Sequence, residues 1–250
     1  MLSKILYKRP RLEAALSALD RGRLKLPVVN PRGLFDGFDR HPVTLTALPS
    51  GPWSSPLADV VTLVKIALSI KPHRVLEVGS YRGFTTKLLA EHTPADAAVV
   101  AFDQDPRHGA AYRDTPLAKK IERRVGKVTR EAFANDAPGS YDLIFLDADH
   151  LYGAVKQDTE VLLPLLAPMG VFVWHDYGNW GRFSKKNGVP EYLHEVAQSR
   201  PVASVGGTLL AVHSPAWASG EGAKRLAAAR EDGIRDTPLE DPWETGSLRG

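Results

Sequence analysis

The chain contains no cysteine among its 250 residues. That absence removes disulfides, thiolate zinc sites, iron–sulfur clusters and cysteine nucleophiles together, so any metal must be held by oxygen and imidazole. No apolar run approaches the roughly 20 residues that span a bilayer, and the N-terminus lacks the uninterrupted apolar core of a secretion signal. The cytoplasm is the expected location. An excess of one charge is also missing: Lys+Arg 32 against Asp+Glu 29 gives a formal net charge of +3, too small to imply a nucleic-acid partner.

What is present is ordinary globular material, 43% hydrophobic and 24% charged, in a chain long enough to bury a large core. The small basic excess gathers before Pro42, in Lys4, Lys8, Arg9, Arg11, Arg21, Arg23, Lys25, Arg32 and Arg40. With Leu2, Ile5, Leu6 and Leu12 nearby, this arm offers a contact to an anionic membrane surface or to a second subunit of a homo-oligomer. A solvated peripheral helix broken near Pro10 is the competing reading.

The stretch around which the chain is organised is Arg74 to Thr86, RVLEVGSYRGFTT. Val75-Leu76-Glu77-Val78 reads as a buried parallel strand; Gly79, Ser80 and Gly83 form a small-residue loop, and a helical pattern follows from Phe84. A strand turning through glycines into a helix presents free backbone N–H groups and a positive helix end, a cradle for a nucleotide-like cofactor. Glu77 adds to this reading, because a carboxylate on a central strand is costly to bury without a partner.

Residues 1–55 read as an appendage, a helical piece at Leu12 to Asp20 followed by Pro/Gly-punctuated loops. An α/β domain spans 56–214, beginning with a helix after Ser54-Ser55-Pro56. Strands are expected at Val75 to Val78, Ala98 to Phe102, Ile121 to Val125, Leu143 to Asp147, Val171 to Trp174, Val202 to Val205 and Thr208 to His213. Helices lie between the first five, and Gly206-Gly207 turns the last two into an antiparallel hairpin. Residues 215–250 carry one helical run, Gly222 to Glu231, and a polar tail.

In such sheets ligands sit beyond the carboxyl ends of the strands. Asp103 ends the second strand about two dozen residues after the glycine loop, where a carboxylate can accept both hydroxyls of a ribose. The fourth strand delivers Asp147, with Asp149 and His150 behind it. The fifth delivers His175 and Asp176, which places Asp147 and Asp176 a few ångströms apart. Two carboxylates that close call for a cation or a proton. Magnesium or manganese suits the oxygens, and His175 biases the set toward manganese, iron or zinc. His150 is the candidate general base. Tyr177, Asn179, Trp180, Arg182 and Lys185 belong to a loop expected to overhang this site.

At these residues the chain resembles the class I S-adenosylmethionine-dependent methyltransferases over roughly residues 57–213. Glu77-Val78-Gly79-Ser80-Tyr81-Arg82-Gly83 is similar to their first motif, with Thr85 just after it, and Asp103 matches the ribose-binding acid. Asp147-Ala148-Asp149-His150 through Asp158, with His175-Asp176, resembles one branch of small-molecule and glycan O-methyltransferases. The resemblance implies a Rossmann-like three-layer sandwich with a mostly parallel seven-stranded sheet, order 3-2-1-4-5-7-6. It also implies S-adenosylmethionine held by Glu77, Gly79, Ser80, Tyr81, Gly83, Thr85, Asp103 and Asp147, and a hydroxyl acceptor on a small molecule or carbohydrate. In metal-dependent relatives the positions of Asp147, His175 and Asp176 hold a divalent cation, Mg2+ or Mn2+. Two positions depart from the pattern: His175 stands where an acid or asparagine is usual, and Met169 replaces a glycine before the fifth strand.

Two other readings stand beside this one. A nicotinamide-dependent oxidoreductase needs the same strand, turn and acid, yet Tyr81 occupies the place of the second glycine in G-x-G-x-x-G. The other is a non-catalytic cofactor-binding protein that interacts through its basic arm.

Overall fold

A computed structural model of the chain describes residues 15–16, 18–19, 22–46, 48, 54–178 and 187–231. The basic arm before residue 15, most of the Leu12 to Asp20 helical piece, loop residues 179–186 and the polar tail lie outside them.

Eight strands form one sheet: β1 Val28–Val29, β2 Arg74–Val78, β3 Ala98–Asp103, β4 Ile121–Val125, β5 Tyr141–Leu146, β6 Leu166–Trp174, β7 Val202–Val205 and β8 Ala211–His213. Their order is β1-β7-β8-β6-β5-β2-β3-β4. Numbered from β2, this is the expected 3-2-1-4-5-7-6. The strand count is corrected by β1, which pairs parallel to β7 through Val28↔Ser204 and Val29↔Val205. Two residues between Pro27 and Pro31 carry no alternation to read, so in the sequence this edge strand resembles punctuated loop. The β7–β8 and β6–β8 pairs are antiparallel and the rest are parallel.

The helices used below are α1 Pro31–Leu34, α2 Leu57–Ile70, α3 Phe84–His92, α4 Ala110–Arg113, α5 Tyr152–Leu162, α6 Val189–Val196 and α7 Gly220–Glu231. Strand alternation divides the core in two. Val75, Val99, Ala101, Leu143, Phe145, Val171 and Val173 face one cluster with Leu63, Ile66 and Ala67 of α2 and Leu89 and Ala90 of α3. Leu76, Val100, Phe102, Ile144, Leu146, Phe172 and Trp174 face the other, with Val155 and Leu162 of α5 and Leu193 and Val196 of α6. The three-layer sandwich follows from these two apolar faces. Leu34 and Phe35 near α1 join Trp217, Leu226 and Ala229 in the first cluster, so segments from both ends of the described chain seal one side.

Register sets the site. Val78 lies beside both Phe102 and Leu146, and Leu146 lies beside Trp174. The residues that follow these strand ends, Gly79, Asp147 and His175, together with Asp103, therefore emerge along one edge. The strand order reverses between β2 and β5, where α/β sheets bind ligands.

Candidate active site

At that edge a cleft of about 1040 Å3 runs from Asp103, His108 and Lys127 at one end to Asp147, His150, His175 and Asp176 at the other. Gly79, Tyr81 and Thr85 line it between them. The volume is that of a site for a cofactor with a small acceptor.

Gly79 is required by a close approach. Its φ is +93°, and a Cβ there would lie 1.9 Å from the Asp147 carbonyl oxygen. Its N–H donates to the Phe102 carbonyl (2.9 Å), and the Asp147 N–H donates to that of Val78 (2.9 Å), so three strand ends are tied together under the cleft. Tyr81 is also left-handed, φ +44°, and its N–H donates to Asp103 Oδ2 at 2.9 Å. The Asp105 N–H donates to Asp103 Oδ1 (2.9 Å). A carboxylate has about four acceptor sites, and these two amides with the Ser80 hydroxyl take three of them, which leaves one for a ligand. His108 Nδ1 lies 2.9 Å from the same Oδ1.

Glu77, Ser80 and Gly83 stand behind the lining. Ser80 places its hydroxyl 3.5 Å from Asp103 Oδ2, and Gly83 caps α3. Glu77 is 1% exposed and accepts a short hydrogen bond from the Thr86 hydroxyl. Burial pushes its pKa up to about 8, against the hydrogen bond from Thr86 and with added repulsion from Asp147 and Asp103. This acid is thus protonated in the folded chain and ionised in the unfolded chain over the window from 4.5 to about 8. The native state binds more protons there, so the contribution of Glu77 to stability falls as pH rises. We expect the ligand-free parent to lose stability relative to Glu77→Gln between about pH 5 and pH 8, by up to roughly 4 kcal/mol at about 1.36 kcal/mol per pH unit. Urea denaturation of both proteins at several pH values measures it, and parallel curves would place the Glu77 proton elsewhere.

At the opposite end, four of the residues singled out in the sequence meet. His150 Nε2 lies 2.6 Å from Asp176 Oδ2 and 3.8 Å from Asp147 Oδ1. His175 Nδ1 lies 3.2 Å from Asp147 Oδ1 and 3.1 Å from Asp176 Oδ2. Asp176 is held at φ +59°, and its carbonyl accepts from Asn187 Nδ2 at 2.9 Å. Burial pushes Asp147 up, but His175 and His150 win and hold it at about 2. Burial opposes ionisation of Asp176 as well, and the same two imidazoles hold it well below the carboxylate range. Asp147 and then Asp176 raise His150 to about 10.

Two participants come from a part of the chain where no motif points. Ser55, in the turn where α2 starts as expected, also donates its hydroxyl to Asp147 Oδ2 at 2.9 Å. Asp59 on α2 is 2% exposed and takes a hydrogen bond from His175 Nε2 at 2.9 Å. The only sequence signal is an acid on the apolar stripe that continues through Leu63, Ile66 and Ala67. Asp158 of α5 also lines the cleft, and burial beside Asp149 raises it to about 6. One overhang residue is corrected: Tyr177 is buried, its hydroxyl accepting from the Leu26 N–H (2.6 Å) and donating to the Leu24 carbonyl (3.2 Å), and it anchors the N-terminal segment instead. Asn179, Trp180, Arg182 and Lys185 lie outside the described residues.

Residues 76–177 match the family described as "Methyltransferase domain", and the sheet order and hairpin are those of the Rossmann-like methyltransferase fold. The chain is 26% identical over 215 residues to an uncharacterised protein of Sinorhizobium fredii, covering 78% of this chain and 21% of the relative. It is 33% identical over 91 residues to a catechol O-methyltransferase of Mycobacterium tuberculosis, covering 35% of this chain and 41% of the relative. The chain thus spans less than half the length of either. Among solved structures, an O-methyltransferase of Bacillus cereus in complex with SAH superposes with a TM-score of 0.54 at 19% identity, over 66% of this chain and 84% of that one. At that identity the likeness is one of fold. No helix among the described residues is long and apolar enough to cross a membrane.

Proposed function

We propose that the chain is an S-adenosylmethionine-dependent O-methyltransferase acting on a hydroxyl of a small molecule. The observation that carries this reading is a single cleft joining a ribose-type acid, Asp103, to a carboxylate–imidazole cluster, Asp147, His150, His175 and Asp176. The first end suits a nucleoside cofactor and the second suits an acceptor hydroxyl. The methyltransferase domain match and the activity of the catechol relative support the same reading.

In the proposed reaction the acceptor oxygen attacks the sulfonium methyl group in line, the carbon–sulfur bond breaks onto sulfur, and the hydroxyl proton is lost. The chain's contribution is mostly positioning. The Tyr81 and Asp105 amides fix Asp103, whose remaining acceptor site takes a ribose hydroxyl. Gly79 leaves room for the cofactor against the strand ends. His150, at the cleft, is the residue assigned to take the acceptor proton, a role open to it once the charge of Asp147 and Asp176 that holds its own proton is taken up.

The cluster also fits a divalent cation. Asp147, His175 and Asp176 each offer a ligand atom, all within 4.8 Å of one another. His175 Nδ1 is buried with no aligned hydrogen bond among the described residues. Its separations from the two oxygens, 3.2 and 3.1 Å, are near the roughly 3.0 Å between neighbouring ligands of an octahedral ion bound at about 2.1 Å. A cation held there would lower the acceptor hydroxyl's pKa and take up the carboxylate charge that otherwise keeps His150 protonated.

Calorimetric titration with S-adenosylhomocysteine, with NAD as comparison ligand, tests the reading. We expect micromolar binding of the first and none of the second; NAD binding alone would overturn it. Asp103→Ala should weaken S-adenosylhomocysteine about 10- to 100-fold, the worth of hydrogen bonds to a charged acceptor. His150→Ala should lower turnover of a catechol or sugar acceptor about 10²–10⁴-fold with that affinity nearly unchanged. Parent-like turnover would move the proton-accepting role off His150.

A further inference from the structure

Asp59 lies outside the methyltransferase motifs, on a helix 88 residues or more before any other member of the cluster except Ser55. We infer that it is a positioning residue: it holds the ring of His175 so that Nδ1, rather than Nε2, faces Asp147 and Asp176 as a nitrogen ligand for a transition-metal cation. The inference rests on the metal-binding part of the proposed function.

Donors and acceptors fix the tautomer. The Leu209 N–H donates to Asp59 Oδ1 at 3.1 Å. A backbone amide can only donate, so that oxygen is fixed as an acceptor. The other oxygen, Oδ2, lies 2.9 Å from His175 Nε2 and holds the proton on that nitrogen. The His175 ring is 6% exposed and packs edge-on against Phe145 with centroids 6.3 Å apart, which leaves it little room to turn. With Nε2–H committed to Asp59, Nδ1 is the nitrogen left to give a lone pair to a cation: it is the buried atom that makes no aligned hydrogen bond and sits between two carboxylates. A carboxylate behind the far nitrogen of a ligating histidine fixes its tautomer and orientation and strengthens it as a donor. A nitrogen in an otherwise oxygen set shifts preference from magnesium toward manganese, iron, cobalt or zinc.

Asp59→Asn is a selective test because it keeps the shape. The Leu209 N–H still requires an oxygen, so the new NH2 group must face His175 Nε2. Two donors then oppose each other unless the imidazole proton moves to Nδ1, which removes the ligand lone pair. We expect Asp59→Asn to fold with a melting temperature close to the parent and to bind S-adenosylhomocysteine as the parent does. Its Mn2+ affinity, by calorimetry without acceptor, should fall about 10- to 100-fold. In pulsed electron paramagnetic resonance, nitrogen coupling to Mn2+ should be present in the parent and lost in Asp59→Asn and His175→Ala. Mg2+ should bind the parent more weakly than Mn2+.

Equal Mn2+ affinity and nitrogen coupling in parent and Asp59→Asn would overturn the inference, as would a parent that binds neither cation. Should Asp59→Asn fail to fold, absence of nitrogen coupling in the Mn2+-loaded parent is sufficient to reject it. A parent that binds Mn2+ but no S-adenosylhomocysteine would count against the methyltransferase reading and leave the role of Asp59 standing.

Discussion

Gly79→Ala should lower the melting temperature by roughly 8–16 °C and abolish measurable S-adenosylhomocysteine binding. The Cβ would sit 1.9 Å from the Asp147 carbonyl oxygen, 2.5 Å from its carbon and 2.9 Å from Ala148 Cα, all backbone atoms. They have nowhere to retreat, since the Asp147 N–H is bonded to Val78 and the Gly79 N–H to Phe102. A non-glycine residue at φ +93° adds about 1–2 kcal/mol. With the clash, the total reaches about 4 kcal/mol or more, and each kcal/mol moves the melting point of a chain of this size by about 2–4 °C. Gly207→Ala is the control. Its φ is +75°, with nothing within 4 Å of the built Cβ, so only the backbone cost applies and the shift should be roughly 2–8 °C. Thermal denaturation compares the two; equal shifts would show that β2 and β5 are not locked as described.

The contrast between these glycines marks how far sequence reading reaches here. Gly79 is legible as a glycine that something must approach, because it ends an apolar strand and precedes a helix; that the approaching group is the backbone of Asp147, 68 residues away, is not. The strands themselves are legible because VLEV, AVVAF, LIFL and VFVW are short apolar runs separated by helical patterns; their order across the sheet is what the family resemblance implies, not what the runs encode. The start of β6 is not legible, since Leu162 to Leu166 is apolar in either conformation. The α5 helix stops at Leu162, a 3₁₀ turn follows, and the strand begins at Leu166. Met169, which replaces the expected glycine, is 78% exposed on that strand, so the sheet accepts it without burying it. Likewise Asp147, His150, His175 and Asp176 stand out in the sequence because each ends or follows a strand. Asp59 and Ser55 reach the same cluster from α2 and the turn before it, and an acid in the first turn of a helix reads as a favourable charge at a helix end. Only the fold reveals that this one is buried.

Asp147→Asn should reduce methyl transfer by about 10³-fold or more while changing S-adenosylhomocysteine affinity by less than about tenfold. The side chain joins three members of the cluster: Oδ2 accepts from Ser55 at 2.9 Å, and Oδ1 lies 3.2 Å from His175 and 3.8 Å from His150. The Ser55 hydroxyl can bond to the amide oxygen as it does to the carboxylate, which turns the NH2 group toward the two imidazoles. One anionic oxygen is lost where both histidines and a cation would need it. A cation held by Asp147, His175 and Asp176 would lower the barrier by several kcal/mol, and each 1.36 kcal/mol is about tenfold in rate, which sets the expected scale. The cradle should survive, because Gly79 packs against the Asp147 carbonyl and not its carboxylate. If the carboxylate also accepts from the cofactor, removing its charge weakens a single hydrogen bond, about 1.5 kcal/mol or roughly tenfold. Turnover measured at saturating S-adenosylmethionine, alongside calorimetry, separates the two roles. Loss of affinity equal to the loss of turnover would assign the Asp147 side chain to the cofactor; loss of turnover alone assigns it to the acceptor end of the cleft.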